Sequence, residues 1–278
     1  MVLRSVVPFL LACALLTCVV MPSPAEAWTH HTVHVLGEEA ARLVPPDLYR
    51  QLVRHRRAYG QGLVEPFDTA PPHDRYVYPN GSGRLDEVIG IAVTNAIDTI
   101  RGHRSMQELA YRMGVVAHFV ALANNPVHAD FSAGERRWGT DYLRYLDSVE
   151  PRIQIVFYGF HGVDRSLDLD RWLSTTLNRS RRLHPMLDRE YQRIGFGSGV
   201  QGFDDRSTAY AVAALGYSHA VSDIAEVLRY IWIEAGGIDS RTDVPRRGER
   251  IVRIPRVDPA RDGEPRGRTS ADTMRGRF

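Results

Sequence analysis

One apolar helix near the middle of the chain constrains its fold more than any other feature. The stretch from Met113 to Ala123 is apolar on almost every side, apart from His118. A helix that is apolar all round is stable only when other elements surround it. Ser105, followed three residues later by Glu108, forms a capping box that marks the start of this helix. We therefore predict a helix buried at the centre of a helical domain.

Helical patterns recur along most of the remaining chain, and strand patterns are few. Asp47 is expected to cap the second helix, and the segment 60–84, rich in Gly, Pro, Asp and Asn, is expected to be a loop. The prediction is an all-α, multi-helix domain over residues 28–238, followed by a disordered Arg/Pro-rich tail over 239–278. The predicted helices cover about 33–43, 47–59, 85–101, 105–123, 140–148, 169–178 and 207–235.

Composition excludes several kinds of chemistry. All 35 basic residues are arginine, so a Schiff base, a lysine general base and a P-loop lysine are impossible. No G-x-S-x-G nucleophile elbow is present. The formal net charge of +2 is too small to predict nucleic-acid binding from bulk charge. Catalysis would have to use His, Asp, Glu, Tyr or a metal ion.

The first 27 residues are predicted to be a secretory signal peptide. Arg4 precedes an apolar run, and Ala25-Glu26-Ala27 forms an A-x-A cleavage site. Cleavage would leave Trp28 as the N-terminus of a secreted or periplasmic protein without cysteine, because Cys13 and Cys18 both lie in the signal. The alternatives are lipid modification of Cys18, which the preceding threonine disfavours, and an uncleaved anchor, for which the apolar run is short.

Histidines gather near the predicted new N-terminus and at the end of the central helix. Three of them, His30, His31 and His34, follow Trp28 closely. His128 follows His118 by ten residues, after a turn that contains proline, so the two imidazoles can be directed to one point. A neutral amine, a backbone carbonyl and imidazole nitrogens are competent zinc ligands. The sequence therefore predicts a metal site that processing completes.

These features resemble the superfamily of zinc-dependent phospholipases C and single-strand-specific nucleases. In that superfamily the mature N-terminal Trp donates its amino and carbonyl groups to zinc, and one helix carries the pattern His-x3-Asp-x3-Pro-x-His. The matching stretch here runs from His118 to His128. The resemblance extends over about residues 28–237 and includes a tryptophan- and glycine-containing helix end that begins at Trp232.

The resemblance implies a set of metal ligands and one catalytic residue. His30 and His34 share a helix face, so either could join Trp28. Asp68 is similar to the family's loop aspartate and would also act as general base for a metal-polarised water. Asp74 is a substitute for Asp68, because the latter is unusually close in sequence to the loop histidine. The ligands implied in this way are Trp28, His30, His34, Asp68, His73, His118 and His128.

Two departures from the family pattern reduce the expected metal content. Leu122 stands where the family has an aspartate that bridges metal ions, and leucine cannot coordinate a metal. The stretch 138–147 contains no histidine, so the family's His-x3-Glu pair is missing. We therefore expect fewer zinc ions than the full family cluster holds.

Two functional hypotheses follow. The first is a secreted, zinc-dependent phosphodiester hydrolase, most similar to phospholipase C, that acts on phospholipid or another phosphodiester and contacts membranes peripherally. A nuclease-like phosphodiesterase is the alternative within this hypothesis. However, the sequence lacks a basic stripe with interleaved aromatic residues, so it does not predict a stable nucleic-acid partner. The second hypothesis is a metal-binding or interaction protein of the same fold that has lost catalysis.

Overall fold

The prediction of an all-α fold is confirmed. The computed structural model describes residues 28–77, 82–129, 135–160 and 167–237. Regular secondary structure in these ranges is helical, with one isolated bridge between Val77 and Gly83. Within the same ranges, no helix is both long and apolar enough to cross a membrane. The predicted signal peptide and tail lie outside the described residues.

Eleven α-helices follow one another in the described part of the chain. Two short 3-10 turns, Pro72–Asp74 and Glu150–Arg152, lie between them. The helices are α1 His30–Ala41, α2 Pro46–Arg54, α3 Arg56–Val64, α4 Pro66–Thr69, α5 Leu85–Arg101, α6 Met106–Ala123, α7 Pro126–Ala129, α8 Glu135–Val149, α9 Leu169–Ile194, α10 Gly199–Gly202 and α11 Thr208–Glu234.

Helix α6 is the central element, as its apolar pattern predicts. The hydroxyl of Ser105 accepts a hydrogen bond from the backbone N–H of Glu108 at 3.1 Å, so this side chain caps the helix as expected. Helices α1, α3, α5 and α11 all pack against α6. The residues from Val116 to Ala123 are all buried. This packing places His118 inside the protein.

Two glycines allow α3 and α6 to cross with their backbones in contact. A Cβ atom on Gly62 would lie 2.1 Å from the carbonyl oxygen of Tyr111. A Cβ atom on Gly114 would lie 2.2 Å from the carbonyl oxygen of Tyr59. Side chains at either position would therefore push the two helices apart. The close crossing lets His118 reach the backbone of α3.

The prediction of a loop from residue 60 onward is wrong for its first part. Helix α3 continues to Val64, and α4 and a 3-10 turn follow within the predicted loop. Leu63 and Phe67 are buried in the core, so tertiary packing outweighs the local composition. Asp47 also does not cap α2, which begins at Pro46, but pairs with Arg50 instead.

Helix α9 is much longer than its sequence pattern predicts. The expected end lay near residue 178, whereas the helix continues to Ile194 with Pro185 inside it. Beyond this proline, Leu187 and Tyr191 are fully buried. The ring of Tyr191 stacks on Trp138 of α8 with centroids 5.4 Å apart. These contacts offset the loss of stability that results when a proline removes a hydrogen bond from a helix.

Candidate metal site

His118 is fixed in the core with one ring nitrogen bonded and the other unpartnered. The side chain is fully buried, and Nδ1 lies 2.8 Å from the carbonyl oxygen of Leu63 on α3. Because a carbonyl oxygen can only accept, the proton resides on Nδ1. Nε2 is buried and has no hydrogen-bond partner among the described residues. Its lone pair is therefore available to a ligand.

His128 repeats this arrangement from the turn that follows α6. The side-chain oxygen of Asn125 accepts a hydrogen bond from the backbone N–H of Val127 and shapes this turn. Nδ1 of His128 donates to the carbonyl oxygen of Arg75 at 2.6 Å, and Tyr76 stacks on the ring. Nε2 is again buried and unpartnered. Histidine ligands of metals are typically oriented by such a bond at the other ring nitrogen.

Both imidazoles are neutral at physiological pH. Burial lowers the pKa of His118 and of His128 to about 3, and this effect outweighs the backbone hydrogen bonds, which act in the opposite direction. The positive charge of Arg75 lowers both pKa values further. Protonation of His118 also disfavours protonation of His128, because the two rings lie within electrostatic reach. Neutral imidazole is the form that binds a metal ion.

The ring of Phe67 contacts the rings of both His30 and His118. Its ring centroid is 4.3 Å from that of His30 and 4.5 Å from that of His118. His30 is close enough to lower the pKa of His118 further. The buried phenyl ring contacts both imidazoles, and it cannot coordinate a metal.

The other two histidines of α1 face different neighbours. Nδ1 of His34 lies 3.6 Å from the carboxylate of Glu38, beside a surface pocket of about 190 Å³. Nε2 of His31 lies 3.9 Å from the carboxylate of Glu150. Of the two alternatives left open by the sequence, His30 therefore faces the His118 region, whereas His34 faces this surface pocket.

The predicted loop ligands lie at the surface around α4. Asp68 is exposed, while its neighbour Phe67 is buried. Nε2 of His73 lies 3.2 Å from Oδ1 of Asp74, which also faces Arg84 at 3.8 Å. His73 and Asp74 thus contact each other.

Trp28 is anchored on the same helix that carries His118. Its indole is buried, and Nε1 donates to the carbonyl oxygen of Ala121 at 2.9 Å. The next residue, Thr29, caps α1 and donates to Asp147 at 2.8 Å. These contacts hold the predicted mature N-terminus against α6, three residues along the helix from His118.

The residues present fit two metal-ligand positions and do not fit a complete cluster. His118 and His128 offer buried, unpartnered, neutral nitrogens. Among the described residues, however, no group of three or more His, Cys, Asp or Glu side chains lies close enough together to hold a metal ion. Leu122 is buried at the position where the family pattern has its bridging aspartate.

Arg75 is a site residue that sequence reasoning missed. Its Nε and Nη2 donate to the carbonyl oxygen of Ala70 at 3.1 and 2.8 Å, and Nη2 also donates to the carbonyl oxygen of Phe67. The backbone of Arg75 accepts the hydrogen bond from His128. This arginine therefore connects α4 to the histidine pair. No local sequence pattern identifies Arg75 as a site residue. Its side chain and backbone form these hydrogen bonds with residues outside its own turn.

Two solved structures are similar to this chain in fold. The alpha toxin from Clostridium absonum matches with a TM-score of 0.55 and 12% sequence identity, over 77% of this chain and 68% of the toxin. The alpha-toxin of a Clostridium perfringens avian strain matches with a TM-score of 0.54 and 13% identity, over 78% of this chain and 67% of the toxin. At this identity the comparison establishes a shared helical fold.

No known protein family matches the sequence, and no curated protein matches it significantly.

Proposed function

We propose that this protein binds one zinc ion through Nε2 of His118 and Nε2 of His128. The observation that carries the proposal is the pair of buried ring nitrogens for which the described part of the chain offers no hydrogen-bond partner. Leaving each of them unpaired costs about 1–3 kcal/mol, whereas a bound metal ion would satisfy both. The backbone carbonyls of Leu63 and Arg75 already orient the rings.

The remaining ligands are proposed to come from the processed N-terminus. Trp28 would supply its free amine and carbonyl oxygen after signal cleavage. His30 is the α1 histidine on the same side, but it does not form a three-histidine group with His118 and His128 in the described residues. Leu122 stands where the family pattern has an aspartate that bridges metal ions, and leucine cannot coordinate a metal. This is why we propose one zinc ion rather than a full cluster, in a secreted or periplasmic protein.

The reaction that such a centre supports is phosphodiester hydrolysis, with phospholipid as the proposed substrate. When bound, zinc would supply a polarised water and stabilise charge on the phosphoryl oxygens. Asp68 would accept the proton of that water, and its exposed carboxylate is accessible to solvent. Peripheral contact with a membrane would bring the substrate to the site. The shared fold with the alpha toxins supports this proposal.

A second candidate is a zinc-binding protein without catalysis. The position of Phe67 favours it, because the ring contacts both His30 and His118 and cannot coordinate a metal. Both candidate functions include the bound zinc ion, and they differ only in substrate turnover. Measuring zinc content and turnover on the same protein therefore distinguishes them.

Metal content tests the shared part of the proposal. Purified protein that begins at Trp28 is expected to retain about one zinc ion per chain after dialysis, measured by elemental analysis. His118→Gln and His128→Gln are each expected to reduce zinc to below about one tenth of that value, because each removes one of two fixed ligands. The matched control is His103→Gln, at an exposed histidine, which should leave zinc content unchanged.

Two further results decide the details of the metal site. Adding one residue before Trp28 is expected to weaken zinc binding about tenfold to one hundredfold, the range seen for losses of supporting ligand interactions.

Saturating zinc should raise the melting temperature of the wild type and not of His118→Gln, because a ligand that binds only the folded state stabilises it. Absence of bound zinc together with an unchanged melting temperature in the wild type would refute the proposal.

Turnover of a phosphodiester tests the catalytic part. With zinc bound, Asp68→Asn is expected to lower kcat/KM on phosphatidylcholine micelles by about 10²–10⁴-fold, the usual contribution of a general base. Asp98→Asn, at an exposed aspartate of α5, is the matched control. Full zinc content without measurable turnover in the wild type would instead establish the second candidate.

A further inference from the structure

Helix α2 presents two apolar side chains to solvent. Leu48 and Leu52 are buried and form the inner face of this short helix. Tyr49 and Val53 lie on the outer face, where 38% and 50% of their surfaces remain exposed. The two are four positions apart, so they are neighbours on the helix. Both line the surface pocket that His34 faces, so the exposed apolar area continues into a shallow groove.

Three arginines without partners lie directly beside this apolar pair. Arg54 ends α2, and Arg56 and Arg57 begin α3; all three are exposed. None of their guanidinium groups makes an ion pair or a hydrogen bond within the described part of the chain. Arg56 lines the same pocket as Tyr49 and Val53, which places positive and apolar groups on one surface. These five residues form what we term the α2–α3 surface.

The charge of this part of the molecule is positive after its acidic residues are counted. Each acidic residue in the segment 34–57 lies against an arginine or a histidine. The pairs are Asp47 with Arg50, Glu39 with Arg42, and Glu38 with His34. The segment contains five arginines and three acidic residues, so its formal charge is +2 with neutral histidines. Residues 46–57 alone contain four arginines and one aspartate, so the excess lies on α2 and the start of α3.

Helix stability does not account for the positions of these arginines. Arg56 and Arg57 lie in the first turn of α3, which has no acidic residue and no side-chain cap. Positive charge is unfavourable at that end of a helix and favourable at the opposite end. Residues that oppose a local structural preference are expected chiefly at functional positions.

An anionic membrane is complementary to the α2–α3 surface in both charge and polarity. Arginine binds phosphate groups through two parallel hydrogen bonds. Tyrosine and aliphatic side chains enter the boundary between lipid headgroups and acyl chains. Single-stranded nucleic acid fits less well, because it binds to several stacked aromatic side chains and Tyr49 is the one aromatic residue of this surface.

We propose that the α2–α3 surface docks the protein onto membranes that contain anionic phospholipid. Arg54, Arg56 and Arg57 bind the lipid phosphates, and Tyr49 and Val53 enter the headgroup boundary. This inference rests on the peripheral membrane contact of the proposed function and assigns a surface and a lipid charge to it. It does not depend on zinc, because none of the five residues is a proposed metal ligand.

Sedimentation with lipid vesicles tests the proposal, using protein that begins at Trp28 and a chelator to remove zinc. The wild type is expected to bind phosphatidylcholine vesicles that contain about one third phosphatidylglycerol at least tenfold more tightly than pure phosphatidylcholine vesicles. The triple variant Arg54→Gln/Arg56→Gln/Arg57→Gln is expected to bind the anionic vesicles about one hundredfold more weakly, because each arginine near an anionic surface contributes about fivefold.

A matched control variant removes the same charge elsewhere. Arg104→Gln/Arg182→Gln/Arg206→Gln replaces three arginines that are also exposed but lie outside residues 46–57, and it should bind the anionic vesicles as the wild type does. The variant Tyr49→Ser/Val53→Ser tests the apolar part and is expected to weaken binding about tenfold. Circular dichroism of each variant verifies that the helices are intact.

Two results would overturn the proposal. The first is equal binding of the wild type to neutral and anionic vesicles, or equal binding of the wild type and the triple arginine variant to anionic vesicles. The second is tighter binding to a single-stranded DNA oligonucleotide than to anionic vesicles, which would identify nucleic acid as the partner.

The outcome is separable from that of the metal site. His118→Gln should bind the anionic vesicles as the wild type does, because His118 is not part of the α2–α3 surface. Vesicle binding without bound zinc in the wild type would refute the metal site and leave this inference standing. Full zinc content without vesicle binding would refute this inference and leave the metal site standing.

Discussion

Replacing Gly114 by alanine is expected to destabilise the protein by about 3 kcal/mol, at the upper end of the range for overpacked cores. The new Cβ atom would lie 2.2 Å from the carbonyl oxygen of Tyr59 and 2.9 Å from Cα of Gly62. Both neighbours are backbone atoms, so relief requires α3 to move away from α6. That movement would also lengthen the hydrogen bond between Nδ1 of His118 and the carbonyl oxygen of Leu63. Urea-induced unfolding measures the change.

Gly90→Ala is the matched control for this prediction. Gly90 also lies inside a helix, α5, but a Cβ atom there meets no atom of the described residues within 4 Å. Alanine should therefore stabilise the protein by about 0.5–1 kcal/mol, the difference in helix propensity. If Gly114→Ala were as stable as the wild type, the close backbone crossing of α3 and α6 would be wrong.

Acidification is expected to destabilise the zinc-free protein between pH 6.5 and pH 5. In the unfolded chain His118 and His128 have ordinary pKa values near 6.5, whereas burial lowers them to about 3 in the folded protein. Above pH 6.5 both states are neutral and the histidines contribute no pH dependence. Below it, only the unfolded state binds protons, so the free energy of unfolding falls. The slope approaches about 1.4 kcal/mol per pH unit for each histidine.

Histidine variants test whether His118 and His128 cause this pH dependence of the free energy of unfolding. His118→Gln and His128→Gln should each remove about half of the decrease, and His103→Gln should remove none, as measured by urea unfolding with a chelator present. The chosen window lies above the range where Glu87 and Glu190 contribute, because hydrogen bonds to arginine lower the pKa of these carboxyls below the usual value. A free energy of unfolding that is constant from pH 6.5 to pH 5 would contradict the burial of neutral imidazoles.

Predictions from the sequence were correct where a single local pattern determined the structure. The apolar run of α6 predicts a central helix, and Ser105 marks its start. The same run singles out His118, because a lone imidazole in such a helix needs a partner. Hydrogen bonds and burial then show that this partner is the backbone of α3, with Nε2 left over.

Local patterns failed where packing between distant segments decided the structure. Glycine, proline and aspartate between residues 60 and 84 indicate a loop, but Leu63 and Phe67 hold much of that segment in helices against the core. The sequence pattern predicted a helix end near residue 178, but the buried contacts of Tyr191 extend α9 to Ile194. In both cases burial of large side chains outweighs a weak local preference.

The sequence by itself determined the helical class, the buried centre and the identity of the two histidines that offer nitrogens there. Only the tertiary structure decided what surrounds those nitrogens. It brought the ring of Phe67 into contact with His30 and His118, turned His34 toward a surface pocket, and placed the backbone carbonyl of Arg75 at Nδ1 of His128. The physical reason is that periodicity and capping act within a few residues along the chain, whereas ligand geometry depends on contacts between segments that are distant in sequence.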